Sequence, residues 1–139
     1  MENQNVKEWI QEEQADVSFK LTMDKQEDIL HVKAEGQRSF KTLMVITEQI
    51  MEACRQNDTC RALVDVRAMG GKLNIWETFK LVTSCFSRVR NWHVLRKAAI
   101  VDREDARDRY KFFETVADNR GYNLRVFEDT AEALSWLAL

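Results

Sequence analysis

Gly70-Gly71-Lys72-Leu73-Asn74 places two glycines, a lysine and an asparagine together, just ahead of a run with helical periodicity. Glycines expose backbone N–H groups, and the dipole of a following helix favours negative charge, so such a turn could hold an anion beside Lys72. The spacing is not that of a GxxxxGK[ST] phosphate loop. The plainer expectation is a turn whose glycines supply positive φ. Gly70, Gly71, Lys72 and Asn74 are candidates for an anion or partner site, and Trp76 joins them. It falls off the apolar stripe of its helix, and surface tryptophans often anchor interfaces. The alternative buries Trp76 in a second stripe with Leu81 and Cys85.

A possible second surface gathers Asp65, Arg67 and Trp92. Asp65 and Asp102 fall near the C-terminal ends of two expected neighbouring strands, where open α/β sheets place ligands. Two carboxylates there could hold Mg²⁺ or act as acid and base. Asp102 is better used as a helix cap, however, and Asp65 can pair with Arg67 or Lys33. His31 and His93 have no ligand-like spacing to cysteines or carboxylates, and no serine or cysteine sits in a nucleophile elbow. The expectation is therefore a non-enzymatic chain with no catalytic residue, no metal and no cofactor.

Composition bounds the possibilities. The 21 basic and 23 acidic residues among 139 leave a net charge of −2, without the basic footprint of a nucleic-acid binder. Arg103, Arg107, Arg109 and Lys111 are interleaved with Asp105, Asp108 and Glu114, the pattern of a solvated helix face. No apolar run approaches the roughly 20 residues of a membrane span, and no signal peptide is evident. Cys54, Cys60 and Cys85 form no CxxC pair, and Cys54 and Cys85 fall among apolar helical residues as buried thiols. These features place the chain in the cytoplasm.

The elements that would position these residues follow from periodicity. Val17, Phe19, Leu21 and Met23 alternate with polar residues, as do Leu30, Val32 and Ala34, which predicts an antiparallel hairpin across the polar turn at residues 24–27. Ser39 caps a helix over about 39–56, and a strand spans Arg61 to Arg67. Asn74 and Glu77 form a capping-box variant that opens a helix with the stripe Ile75, Phe79, Val82, Phe86 and Val89. Lys97 to Asp102 is a strand. Asp102 caps a helix near 103–119, which buries Ala106, Tyr110, Phe113 and Ala117 and stops at Gly121. Asn123 to Phe127 and a helix capped by Asp129 end the chain. The order ββαβαβαβα predicts an α/β fold with a five-stranded, mostly parallel mixed sheet and an antiparallel N-terminal edge strand. Right-handed crossovers between sequential strands put the helices mainly on one face, leaving the other partly wet with Asp65, Arg67, His31 and Lys33. Residues 16–139 form one domain. Residues 1–15 are an extension, disordered or with a short helix at 6–10 (Val6, Trp9, Ile10) lying across the open face.

Three segments carry a resemblance: RALVDVR from Arg61, KAAIVDRED from Lys97, and NLRVFEDTAEALSWL from Asn123. With the element order, the chain from Val17 to Leu137 resembles the SpoIIAA-like, STAS-related domains. The most specific mark is the spacing of Phe127, Asp129 or Glu128, Ala133, Trp136 and Leu137, which reads as structural. The resemblance implies a SpoIIAA-like fold and a non-enzymatic regulatory module that binds a protein partner; a homodimer through the open sheet face is the default if no partner binds. A small anionic or lipid ligand is the alternative. It also implies a switch serine opening the second helix, but Met69 to Ile75 contains no hydroxyl residue. Thr78, the next one, lies inside the helix. The phospho-switch is therefore not expected.

Overall fold

The protein, described from a computed structural model, is defined over residues 8–14, 17–59, 61–88, 96–103, 107–119 and 123–139. Strand β1 (Glu8–Gln14) precedes the expected hairpin of β2 (Val17–Asp24) and β3 (Ile29–Gln37), where Leu21 pairs with Val32 and Met23 with Leu30. Asp24 shapes the turn, its Oδ1 accepting from the N–H groups of Gln26 and Glu27 at 3.0 and 3.2 Å. Helix α1 (Phe40–Asn57) leads to β4 (Arg61–Gly70), then α2 (Ile75–Arg88), β5 (Lys97–Val101), α3 (Arg107–Asn119), β6 (Leu124–Phe127) and α4 (Thr130–Leu137). Ser39 caps α1 as expected, its Oγ accepting from the Thr42 N–H while Thr42 Oγ1 accepts from the Ser39 N–H.

The strands lie in chain order, β1-β2-β3-β4-β5-β6, antiparallel at β1-β2-β3 and parallel from β3 onward. A sheet built in sequence order with right-handed crossovers carries every crossover helix on one face. Accordingly α1, α2 and α3 share a core with Leu30, Val32, Ala62, Val64 and Ala98. Helix α4 is no crossover, and it covers part of the other face against Ile29, Leu63, Ala99 and Val101. The alternation along β4, with Leu63 to one side and Val64 to the other, is what lets the central strand serve both layers. Cys54 is fully buried in the larger core. No described helix is long and apolar enough to cross a membrane.

The N-terminus corrects the expected strand count. Glu8–Gln14 is a sixth strand, antiparallel to β2 with Trp9 opposite Leu21 and Ile10 opposite Lys20, not a short helix on the open face. Isolated helices of a few residues are marginal in water, whereas β2 offers a free edge whose N–H and C=O groups need partners. Val6 lies outside the described residues. A second correction concerns β4, which continues past Arg67 through Gly70, paired there with Gln37.

The C-terminal unit closes the sheet. Ala133 and Leu137 of α4 are buried, and the Phe127 and Trp136 rings meet with centroids 5.7 Å apart. Two cations bind its terminal carbonyls: Arg61 Nη1 donates to Leu137 O and Lys97 Nζ to Trp136 O, both at 3.0 Å. Cations are favoured at a helix C-terminus, where unpaired carbonyls concentrate negative charge. Leu137→Ala is expected to destabilise the fold by about 2–5 kcal/mol through the cavity it leaves. A urea midpoint equal to that of the parent chain would contradict a packing role for α4.

Candidate functional site

The segment singled out by its glycines connects β4 to α2. Gly70 O accepts from the Arg38 N–H at 2.9 Å, extending the parallel ladder to its last rung. Gly71 follows at φ +79°, and a Cβ there would lie 3.3 Å from Gln37 Oε1 and 3.6 Å from the Arg38 nitrogen. Glycine is needed for the backbone conformation more than for space. Gly71→Ala is expected to cost about 1–2 kcal/mol from the left-handed φ alone, read as a lowered thermal midpoint. Beyond the turn, Asn74 caps α2 as the sequence predicts. Asn74 Oδ1 accepts from the Glu77 N–H at 2.7 Å, and Glu77 Oε1 accepts from the Asn74 N–H at 3.1 Å.

The first turns of α2 carry apolar side chains into solvent. Ile75 is 71% exposed, Trp76 74% and Phe79 37%. Trp76 and Phe79 stack with centroids 6.0 Å apart and planes 18° from parallel. This corrects the expected stripe, in which Ile75 and Phe79 were core positions. It also places Trp76 on the surface instead of with the buried Leu81. The cause is the seat of the helix, wedged between α1 and α3 above the sheet. Among the described side chains of α2, Leu81 alone is buried. Val89, together with the side chains of Val82 and Phe86, falls outside the described part of the chain. Exposed Lys72 and Lys80 border the patch, and Lys80 Nζ sits 5.1 Å from the centre of the Phe40 ring.

Beneath this loop lies a polar cluster that sequence reasoning missed as a unit. Arg38 stands between the end of β3 and the Ser39 cap, and it reaches across β4 to Asp102 at the end of β5. Arg38 Nη1 donates to Asp102 Oδ2 at 2.8 Å and Nη2 to Oδ1 at 2.9 Å, a two-pronged pair with side-chain exposures of 6% and 0%. Tyr110 Oη accepts from Arg38 Nη1 at 2.9 Å and donates to Asp102 Oδ2 at 2.8 Å. The Arg103 N–H supplies a further donor to Asp102 Oδ1 at 2.7 Å. Arg38 Nη2 also donates to the carbonyls of Val66 at 3.1 Å and Met69 at 3.4 Å. Arg103 Nη2 reaches the Met69 carbonyl at 3.3 Å. The Val66 carbonyl lies where the β3–β4 register shifts by a bulge, between the Lys33–Asp65 and Glu35–Ala68 pairs. Bulges of this kind re-aim groups at the ends of strands.

Electrostatics lock the cluster in one state. Burial works to lower the Arg38 pKa, but the hydrogen bond and charge of Asp102, with Tyr110, outweigh it and raise the pKa above its usual value. Burial first, then Asp102, pushes the Tyr110 phenol well above its ordinary range, with Arg38 opposing. The phenol stays neutral and donates. An ionised carboxylate has about four acceptor positions, and each Asp102 oxygen already receives two donors. These bonds give Asp102 a structural duty, tying β5 to Arg38, to Tyr110 and to the backbone of Arg103. The expected carboxylate neighbour is also misplaced: Asp65 lies on the opposite face, bound by Arg67 Nε at 3.0 Å and Nη2 at 2.8 Å. The hydrogen bond from Arg67 holds the Asp65 pKa below the usual carboxylate value, against a smaller effect of burial. Arg67 Nη2 also touches Thr130 Oγ1 at 3.3 Å, so this second candidate surface ties β4 to α4. Trp92, His93 and Cys60 lie outside the described residues.

Comparison with known proteins identifies the family. A family model described as SpoIIAA-like matches residues 29–138. The chain belongs to the SpoIIAA-like family. Among solved structures, this SpoIIAA-like chain is similar to an anti-sigma factor antagonist from Mycobacterium paratuberculosis. The match has a TM-score of 0.51 and 11% identity, covering 95% of this chain and 93% of that one. A protein with a SpoIIAA-like fold from Shewanella loihica aligns over 99% of this chain and 98% of its own, with 18% identity and a TM-score of 0.49. A search of the curated proteins finds no match. At 11% identity the likeness to the antagonist is one of fold.

Within the SpoIIAA-like frame, the residues that carried the resemblance prove structural: Phe127, Ala133, Trp136 and Leu137 pin α4 to the sheet. Arg38 and Tyr110 left weaker traces in the sequence. Tyr110 was legible on the buried side of α3, whereas Arg38 was not singled out by any motif or period.

Proposed function

We propose that this SpoIIAA-like domain is a non-catalytic regulatory module of the cytoplasm. It engages a protein partner through the β4–α2 loop and the first turns of α2, without a phosphorylated serine. The observation that carries this reading is the exposure of Ile75 at 71% and Trp76 at 74% on a helix whose cap is complete. Large apolar side chains held out from a rigid element are typical anchors of protein interfaces. The four hydrogen bonds that Asp102 accepts support a structural duty for this buried carboxylate beneath the loop.

The test places a photo-crosslinking amino acid at position 76, with position 33 on the open sheet face as control, and irradiates living cells. A discrete protein adduct at position 76, absent at 33, is the expected result. An adduct of the chain with itself assigns the surface to a homodimer. Equal labelling at both positions, or none, sinks the reading.

A further inference from the structure

We propose that the partner segment seated on Ile75, Trp76 and Phe79 is an acidic amphipathic stretch of another protein, with carboxylates that meet Lys72 and Lys80. This inference rests on the interaction reading above and adds the chemistry of the partner. The apolar centre of the patch has a basic border. Lys72 precedes the helix cap, Lys80 lies one turn beyond Trp76, and both are exposed. Lys80 Nζ over the Phe40 ring at 5.1 Å brings the start of α1 to the same border, where Lys41 is also exposed. Glu77, the acidic side chain of the first turn, offsets only part of the charge of Lys41, Lys72 and Lys80. Glu77 is turned back onto the Asn74 N–H at 3.1 Å.

An interface with an apolar core and a rim of one charge selects its complement. Desolvated anchors supply the affinity, and opposite rim charges supply steering and rejection of wrong partners. The matching surface has aliphatic or aromatic residues at helical spacing, flanked by Asp and Glu. The small size of the patch favours a short protein segment over a lipid surface. Helices that lie in a membrane interface bury a whole apolar face along their length, whereas α2 lies between α1 and α3 and buries Leu81 in the core.

The test is a peptide-display selection with the intact chain as bait, run in parallel with Trp76→Ala and with Lys72→Glu/Lys80→Glu. Circular dichroism checks that each bait is folded. The parent chain is expected to recover peptides with apolar anchors at i, i+3 or i+4, and i+7, flanked by acidic residues. Those peptides should be lost on the Trp76→Ala bait. A representative one should bind the charge-reversed bait about tenfold more weakly at low salt, with the gap narrowing as salt screens the rim. Trp76-dependent peptides with neutral or basic flanks overturn the acidic partner while leaving the interaction surface intact. Peptides recovered equally by the Trp76→Ala bait overturn both readings. An empty selection overturns the proposal. If Trp76-dependent binding then appears on phosphatidylcholine vesicles containing phosphatidylserine, the patch belongs to an anionic membrane.

Discussion

Asp102→Ala is expected to lower the unfolding free energy by about 3–5 kcal/mol, the penalty for stranding a buried cation. The side chain is fully inaccessible and takes hydrogen bonds from Arg38, Tyr110 and the Arg103 N–H. Removing it leaves a 6% exposed guanidinium without its counter-charge and a half-buried tyrosine without its acceptor. Most domains have only about 5–15 kcal/mol in total, so the variant should approach the edge of folding. The sign of the pair itself is a separate matter, because desolvation consumes much of the Coulombic gain in any buried ion pair. Replacing both members with apolar residues, Arg38→Met with Asp102→Leu, should therefore recover most of the loss. Urea unfolding of the parent, the single and the double variant measures both terms. A single-variant loss below about 1 kcal/mol would place the pair among weak surface contacts.

The same substitution should reach the candidate surface. Arg38 Nη2 holds the Val66 and Met69 carbonyls, and its backbone N–H holds the Gly70 carbonyl. These are the last residues of β4 before the turn into α2. With Asp102 gone, the Arg38 guanidinium keeps only these carbonyls and Tyr110 Oη as partners, so the end of β4 is held less firmly beside the turn. Stability and partner binding should fall together in Asp102→Ala.

What the sequence disclosed depended on distance along the chain. The caps at Ser39, Asn74 and Asp129 were legible because each bonds within three residues of itself. The wet face with Asp65 and Arg67 followed from period-two alternation and from sequential crossovers that all pass on one side. The Arg38–Asp102 pair spans 64 positions. Its partners meet only because the parallel sheet sets the ends of β3, β4 and β5 side by side. Nothing local distinguishes Arg38 from a solvated arginine. The α2 stripe failed for another reason. Helical period identifies a face, but it does not say which turns of that face have a neighbour to cover them, and Ile75 and Phe79 stay exposed although α1 and α3 flank the helix. At the N-terminus, the Val6, Trp9, Ile10 spacing matched a helix, but the free edge of β2 decided the matter in favour of a strand.

Trp76→Ala separates surface from scaffold. The indole is 74% exposed and its ring contact is the stack on Phe79 at 6.0 Å. Truncation therefore leaves no cavity, and the unfolding free energy should move by no more than about 0.5 kcal/mol, as for other surface positions. If Trp76 anchors the interface, the same change should weaken binding to the crosslinked partner by about 2 kcal/mol or more, roughly thirtyfold in affinity. Titration calorimetry and thermal unfolding on one preparation give both numbers. A stability loss above about 2 kcal/mol would mean that the tryptophan is part of the packed structure. An unchanged affinity would move the interface elsewhere. The contrast with Asp102→Ala makes the pair of variants informative: one change should cost stability and binding together, the other binding alone. That difference is what distinguishes a side chain that builds the platform from one that stands on it.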